Sequence, residues 1–336
     1  MTLKKYKYEK EFFLESGDSL PELTIGYHTY GTLNEAKDNA IWVCHALTAD
    51  SNPADWWAGL FGDNRVFNPE KYFIVCANIL GSCYGTTGPH SIDRRTNEPY
   101  YNDFPLITIR DMVKAHDLLR EYLEIDKISV CIGGSGGGHQ VLEYGLMFPD
   151  VVQRMIALAS SATESAWRKA IHTTQRMSIE ADSSWGDKRP DAAEKGLKAA
   201  RGIGLLTYRT INAYVKTQSD EDDSLLDNYK ASSYIRYQGE KLGNRFNAYS
   251  YWILTKALDT HHIGRNRTEL SEVLNGVQQE TLIISIDSDM LIPKAEQEFL
   301  AEHIPNSTLK VITSDYGHDG FLIETKKIAE CVEEFF

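Results

Sequence analysis

One serine in this chain, Ser135, is enclosed by glycines in the run GGSGGGH, residues 133–139. A serine hydroxyl becomes a nucleophile when a histidine takes its proton and a carboxylate holds that histidine. Both appear further on: Asp287 and Asp289 in SIDSDMLIP, and His318 in SDYGHDGF. Serine, acid, histidine is the chain order of acyl-transfer sites built on a G-x-S-x-G strand–turn–helix elbow, here Gly133, Ser135 and Gly137. Two other glycine-rich chemistries fit less well. A dinucleotide loop needs GxGxxG, yet Gly134 and Gly136 are followed at the third position by His139, and no Gly-Lys-Ser/Thr is present for a phosphate loop. Acyl transfer also needs two donors for the oxyanion. The backbone N–H of Gly136 is one, and that of Leu47, in the loop VCHALTAD, is the other. His45 in that loop precedes the serine and is read as structural.

These residues need elements to position them. ISVCI before Ser135 is an apolar run of strand length, and HQVLEYGLMF after it is helical. TLIISI ends just before the aspartates and TLKVIT just before His318, so acid and base fall at the carboxyl ends of strands. The 29 residues from Asp289 to His318 fit one helix, PKAEQEFLAEHI, and one strand. TIRDMVKAHDLLREYLEI carries apolar residues at helical spacing, and RMIALAS reads as a buried strand. EFFLES and LTIGYHTYG, ahead of AIWVCHAL and YFIVCANIL, suggest an opening hairpin or meander followed by buried strands. Alternating strands and helices predict an α/β fold with a mostly parallel sheet covered on both faces. Residues 161–264 break the rhythm with helical stretches, ESAWRKAIHTTQRMSIEA and DAAEKGLKAARGIGLL. The expected organisation is an α/β core, residues 1–160 and 265–336, interrupted by a helical insertion over 161–264.

Hydrophobic content of 42% and charged content of 25% are those of a globular protein with a sizeable core. A net charge of −13 argues against nucleic-acid and anionic-membrane partners. The cysteines, Cys44, Cys76, Cys83, Cys131 and Cys331, form no CxxC pair, and the acidic stretch QSDEDDSLLDN reads as a solvated loop, so no metal site is expected. The charged start MTLKKYKYEK and the lack of a long apolar run predict a cytoplasmic protein.

CHALTAD, ANILGSCYGTTGP, DFPLITIRDMVKAH, GGSGGGHQVLEYGLMFPD, SIDSDMLIP and YGHDGF, in this order and spacing, resemble the homoserine O-acetyltransferase family of α/β-hydrolase-fold enzymes. The likeness runs from about Leu14 to the C-terminus and includes GLLTYRT and YQGEKLGNRFNAYSY. It implies transfer of an acetyl group from acetyl-CoA, a co-substrate rather than a resident cofactor, through Ser135 to the hydroxyl of L-homoserine. It implies a triad of Ser135, Asp289 and His318, selecting Asp289 over Asp287, with Leu47 and Gly136 at the oxyanion. The helical insertion becomes a lid and the interface of a homodimer. The family's carboxylate-binding arginine maps onto Arg209, and Asp319 is placed to meet the acceptor's ammonium. The family reads GGSMGGMQ where this chain has Gly136 and His139 in place of the two methionines. The first change removes bulk near the acyl group, and His139 is read as a helix-packing residue. Succinyl transfer, serine as acceptor, a hydrolase using the same triad, and an inactive binding module remain open at this level.

Overall fold

The computed structural model describes residues 2–335. Its centre is an eight-stranded sheet. In chain order the strands are β1 (Lys4–Tyr8), β2 (Leu23–Tyr30), β3 (Ala40–Cys44), β4 (Phe73–Ala77), β5 (Ile128–Gly134), β6 (Arg154–Leu158), β7 (Glu280–Ile286) and β8 (Ser307–Ile312). Their spatial order is β1-β2-β4-β3-β5-β6-β7-β8. β1 pairs antiparallel with β2, and β2 antiparallel with β4; the pairs from β4 to β8 are parallel. An antiparallel pair thus stands at one edge of a parallel sheet, but its first strand is Lys4–Tyr8, whereas Phe12–Phe13 of EFFLES pairs with Ser19–Leu20 in a separate ribbon.

Strand side chains alternate between faces, so one strand feeds two apolar layers. Trp42 and Cys44 of β3 join one buried cluster with Met112, Leu119, Val141 and Tyr144. Ile41 and Val43 point the other way and join Ile132, Ile156, Ile284, Ile328 and Val332. The first layer is closed by α1 (Ile109–Tyr122) and α2 (Gly136–Met147). α1 begins in a capping box, in which Thr108 accepts from the Asp111 N–H and Asp111 accepts from the Thr108 N–H. Cys44, Cys76 and Cys131 are buried, as small apolar residues are.

Between β6 and β7 the chain leaves the sheet. It builds α3 (Ala166–Glu180), α4 (Glu194–Tyr208), α5 (Ile211–Gln218), α6 (Lys230–Gly243) and α7 (Ala248–Asp259). The two stems of this excursion hold each other: Glu164 N–H donates to His261 O at 2.9 Å, and Ile263 N–H to Ala162 O at 3.0 Å. α3 and α4 meet at Gly196, where a Cβ would stand 2.6 Å from the Ser178 carbonyl, so only glycine allows this approach. The acidic stretch between α5 and α6 is exposed and irregular.

Candidate active site

Ser135 lies between β5 and α2 with φ 55° and ψ −125°, a backbone conformation that costs an L-residue of order 1–3 kcal/mol. The flanking glycines make the turn possible. A Cβ on Gly137 would sit 2.1 Å from the Cys44 carbonyl oxygen, and one on Gly133 would sit 2.6 Å from the Gly137 backbone. The turn is pinned to the next strand by the Ser135 N–H, which donates to Leu158 O at 2.9 Å.

His318 and Asp289 arrive from the loops after β8 and β7. Ser135 Oγ and His318 Nε2 are 2.8 Å apart, and His318 Nδ1 and Asp289 Oδ2 2.6 Å. With the proton of the imidazole on Nδ1, His318 donates to Asp289 and accepts from the serine hydroxyl. Asp289 is buried, and its Oδ1 accepts from the N–H groups of Leu291 and Ile292 at 2.8 and 2.9 Å. Asp287 is exposed and accepts from the Ser314 N–H at 3.1 Å. Of the two aspartates, the structure therefore brings Asp289 to the histidine.

The serine opens on a cavity of about 480 Å³. Leu47 and Gly136 line it beside Ser135. The Gly136 N–H is the first of α2 and has no carbonyl four residues back within the helix. The bulk missing at position 136 is supplied from elsewhere: a Cβ there would lie 2.9 Å from Leu258 Cδ2 of α7. His139 is buried and stacks on His261 with ring centroids 3.9 Å apart. Burial first, then the neighbouring His261, holds its pKa well below the ordinary histidine range, so it stays neutral. His45 is fully buried, with Nδ1 2.9 Å from Ala46 O and Nε2 accepting from the Ile79 N–H at 3.1 Å. Both its nitrogens are engaged, which leaves it a loop brace.

Asp319 lines the cavity, but Arg209 is not among the lining residues. Arg209 stands behind Asp319, its Nε donating to Oδ2 at 3.0 Å and its guanidinium over the Tyr234 ring at 5.4 Å. Arg201 of α4, 5.7 Å from the Tyr208 ring, does line the cavity, as do Arg168 and Arg245. Arg209 therefore reaches the cavity through its ion pair with Asp319. The sequence carried a signal for Arg201: it and Tyr208 are seven residues apart in KAARGIGLLTYR, two helical turns on one face.

An ionic cluster at the start of α3, also missed, forms another wall. Glu164, Arg168 and His172 all line the cavity. Arg168 is buried and donates through Nη1 to Glu296 at 2.8 and 3.0 Å, and through Nη2 to Ser161 Oγ at 2.8 Å. Its Nε lies 2.8 Å from Glu164 Oε1 without hydrogen-bond alignment, so that contact is one of charge alone. Burial outweighs this attraction and raises the Glu164 pKa. His172 Nδ1 and Arg176 Nη2 hold Asp259 at 2.8 and 2.6 Å. Ligand-type atoms of Glu164, His172 and Asp259 lie within 4.8 Å of one another. Two guanidinium groups already supply the cations there.

The family model for the alpha/beta hydrolase fold matches residues 39–325. A homoserine O-acetyltransferase of Cyclobacterium marinum is 46% identical over 336 residues, covering 100% of this chain and 95% of that protein. Two solved structures share the fold over nearly their whole length. The homoserine O-acetyltransferase from Bacillus anthracis superimposes with a TM-score of 0.90 at 24% identity, over 98% of this chain and 97% of that one. Esterase E22 does so with a TM-score of 0.90 at 22% identity, over 99% and 100%. Among the described residues no helix is long and apolar enough to cross a membrane. With the hydrogen-bonded serine, histidine and aspartate already in place on this fold, the relationship in sequence decides the assignment: the chain belongs to the homoserine O-acetyltransferase family of α/β-hydrolase-fold proteins.

Proposed function

We propose that the protein transfers an acetyl group from acetyl-CoA, by way of an acyl-Ser135 intermediate, to the side-chain hydroxyl of L-homoserine. His318 takes the Ser135 proton as Oγ attacks the thioester carbonyl. The tetrahedral oxyanion is met by the N–H groups of Leu47 and Gly136, and Asp289 stabilises the imidazolium. Collapse expels the CoA thiolate, which takes the proton from His318. The acceptor hydroxyl then gives its proton to His318 and attacks the acyl carbonyl. A second collapse returns the proton to Ser135 and releases the O-acetyl amino acid. The acceptor is a zwitterion, and a partly closed cavity must meet both of its charges. Arg201 offers a fork for the carboxylate, and Asp319, oriented by Arg209, meets the ammonium.

One observation carries the reading: the chain of 2.8 and 2.6 Å hydrogen bonds from Ser135 through His318 to Asp289, opening on a cavity that holds both Arg201 and Asp319. The helices over 161–264 act as a lid, and their exposed Leu206, Ile211, Val215 and Leu226 support a homodimer through that surface. A cytoplasmic location, where acetyl-CoA is at hand, goes with this chemistry. The test is thiol release from acetyl-CoA or succinyl-CoA, with and without homoserine or serine. Sustained release, beyond one equivalent per Ser135, should need both acetyl-CoA and homoserine, and Ser135→Ala should lower it by several orders of magnitude. Multiple-turnover release independent of any acceptor would make the protein a hydrolase.

A further inference from the structure

The mouth of the cavity carries charges that the chemistry above does not use. Lys241, in the last turn of α6, and Arg245, four residues on, line it together with Thr48, Asp50, Asp55 and Trp56. Both lie in YQGEKLGNRFNAYSY, a stretch that stood out in the sequence without a role. Lys198, packed against the same helix, is by contrast neutralised by Glu194 and Glu240 at 2.7 Å each. Lys241 and Arg245 have no carboxylate within ion-pair distance among the described residues. Arg245 Nη1 donates to two neutral acceptors, the Thr48 carbonyl and the Tyr84 hydroxyl. Burial pushes the Tyr84 hydroxyl up to about 12, so it stays protonated and leaves the guanidinium charge uncompensated. Asp50 and Asp55 share the mouth, but both are bonded to Asn52 within their own turn. In a chain of net charge −13, two uncompensated cations at the mouth of a nucleophile's cavity fit an anionic ligand.

We infer that Lys241 and Arg245 bind the phosphate groups of the thioester donor, with its neutral arm running inward past Thr48 and Leu47 to Ser135. This rests on reading the chain as an acyl-CoA-dependent transferase. The acceptor does not need these cations, since its single carboxylate has Arg201, which is less exposed than Lys241 and Arg245. The Arg245 bond to the Thr48 carbonyl, next to Leu47, ties the phosphate site to the loop that supplies an oxyanion donor. The site thereby separates a nucleotide-bearing thioester from a simple ester.

The experiment compares acetyl-CoA with acetyl-pantetheine, the same thioester without phosphates, at saturating homoserine. Lys241→Ala should lower the ratio of kcat/KM for acetyl-CoA to that for acetyl-pantetheine by about 10-fold, and the double variant with Arg245→Ala by about 100-fold. The loss should lie in KM, and the salt dependence of acetyl-CoA turnover should flatten. Calorimetry with adenosine 3′,5′-bisphosphate gives a second readout that needs no turnover: the wild type binds it and the double variant does not. An unchanged donor ratio, or equal losses with both donors, would overturn the inference, the latter by making the residues supports of the lid. A wild type that releases no thiol from acetyl-CoA, yet binds the bisphosphate, would instead count against the transferase reading alone.

Discussion

Each polar atom of Asp289 has a partner: one oxygen takes two backbone N–H groups and the other takes the imidazole of His318. Asp289→Asn should therefore keep the loop nearly in place while favouring the wrong tautomer of His318, with a loss of about 10⁴-fold in turnover, as in the serine-protease example. Asp287→Asn, at an exposed position that only receives the Ser314 N–H, should lose less than about 10-fold. Steady-state rates of the two variants decide the matter, and a reversed order would exclude Asp289 as the acid. Arg201→Ala should spare the burst of CoA release and lower acceptor kcat/KM by about 30-fold to several thousandfold, the equivalent of roughly 2–5 kcal/mol. Arg209→Ala should do less, because it acts through Asp319. Stopped-flow release followed by a homoserine titration measures both. The triad was legible in the sequence because glycines and strand ends mark it locally. That Arg201 lines the cavity while Arg209 stands behind Asp319 was not, because it depends on which way a helix faces once packed.

Helix α3 owes its place to more than its apolar stripe of Ile171 and Ile179. Its amphipathic spacing made the element readable from sequence. The ion pair of Arg168 with Glu296, 128 residues away, carries no local signature. That pair welds the wall of the cavity to the helix after the Asp289 loop, and so bears on the register of the acid. Arg168→Met would leave buried Glu164 and partly exposed Glu296 without their shared cation. A loss of about 3–5 kcal/mol in unfolding free energy is expected, measured by urea denaturation. Adding Glu164→Gln should recover part of that loss, since the uncompensated charge is what costs most. No recovery would mean that packing of the arginine stem dominates.

Across the molecule, the insertion returns to the sheet beside its point of departure, and the return is latched. Glu15 accepts from Arg110 Nη1 at 2.9 Å, and from Arg265 at 2.8 and 3.1 Å. Arg110 Nε and Arg267 Nη2 both donate to buried Glu143, at 3.0 and 2.8 Å. The N-terminal segment, α1, α2 and the returning stem are thus joined by five charges whose partners lie up to 250 residues apart. Hydrophobic periodicity gives the helices and strands but says nothing of such pairings, so this latch was out of reach of the sequence. Burial works to raise the Glu15 pKa. Hydrogen bonds from Arg265 and Thr108, with the charges of Arg265 and Arg110, outweigh it and leave the value lowered from 4.5. A depressed carboxylate contributes stability that is fully present above its unfolded value and is lost as pH falls through the folded one. Glu15→Gln should therefore be less stable than the wild type at pH 7. The gap should narrow below pH 4.5 and close once Glu15 is protonated in the folded state. Urea unfolding of both proteins over that range measures it, and a gap independent of pH would show that the latch acts through shape and not charge. The stem also carries α7, whose Leu258 lines the cavity beside Gly136. A loosened latch should accordingly raise the acceptor KM at neutral pH while leaving the burst of CoA release in place.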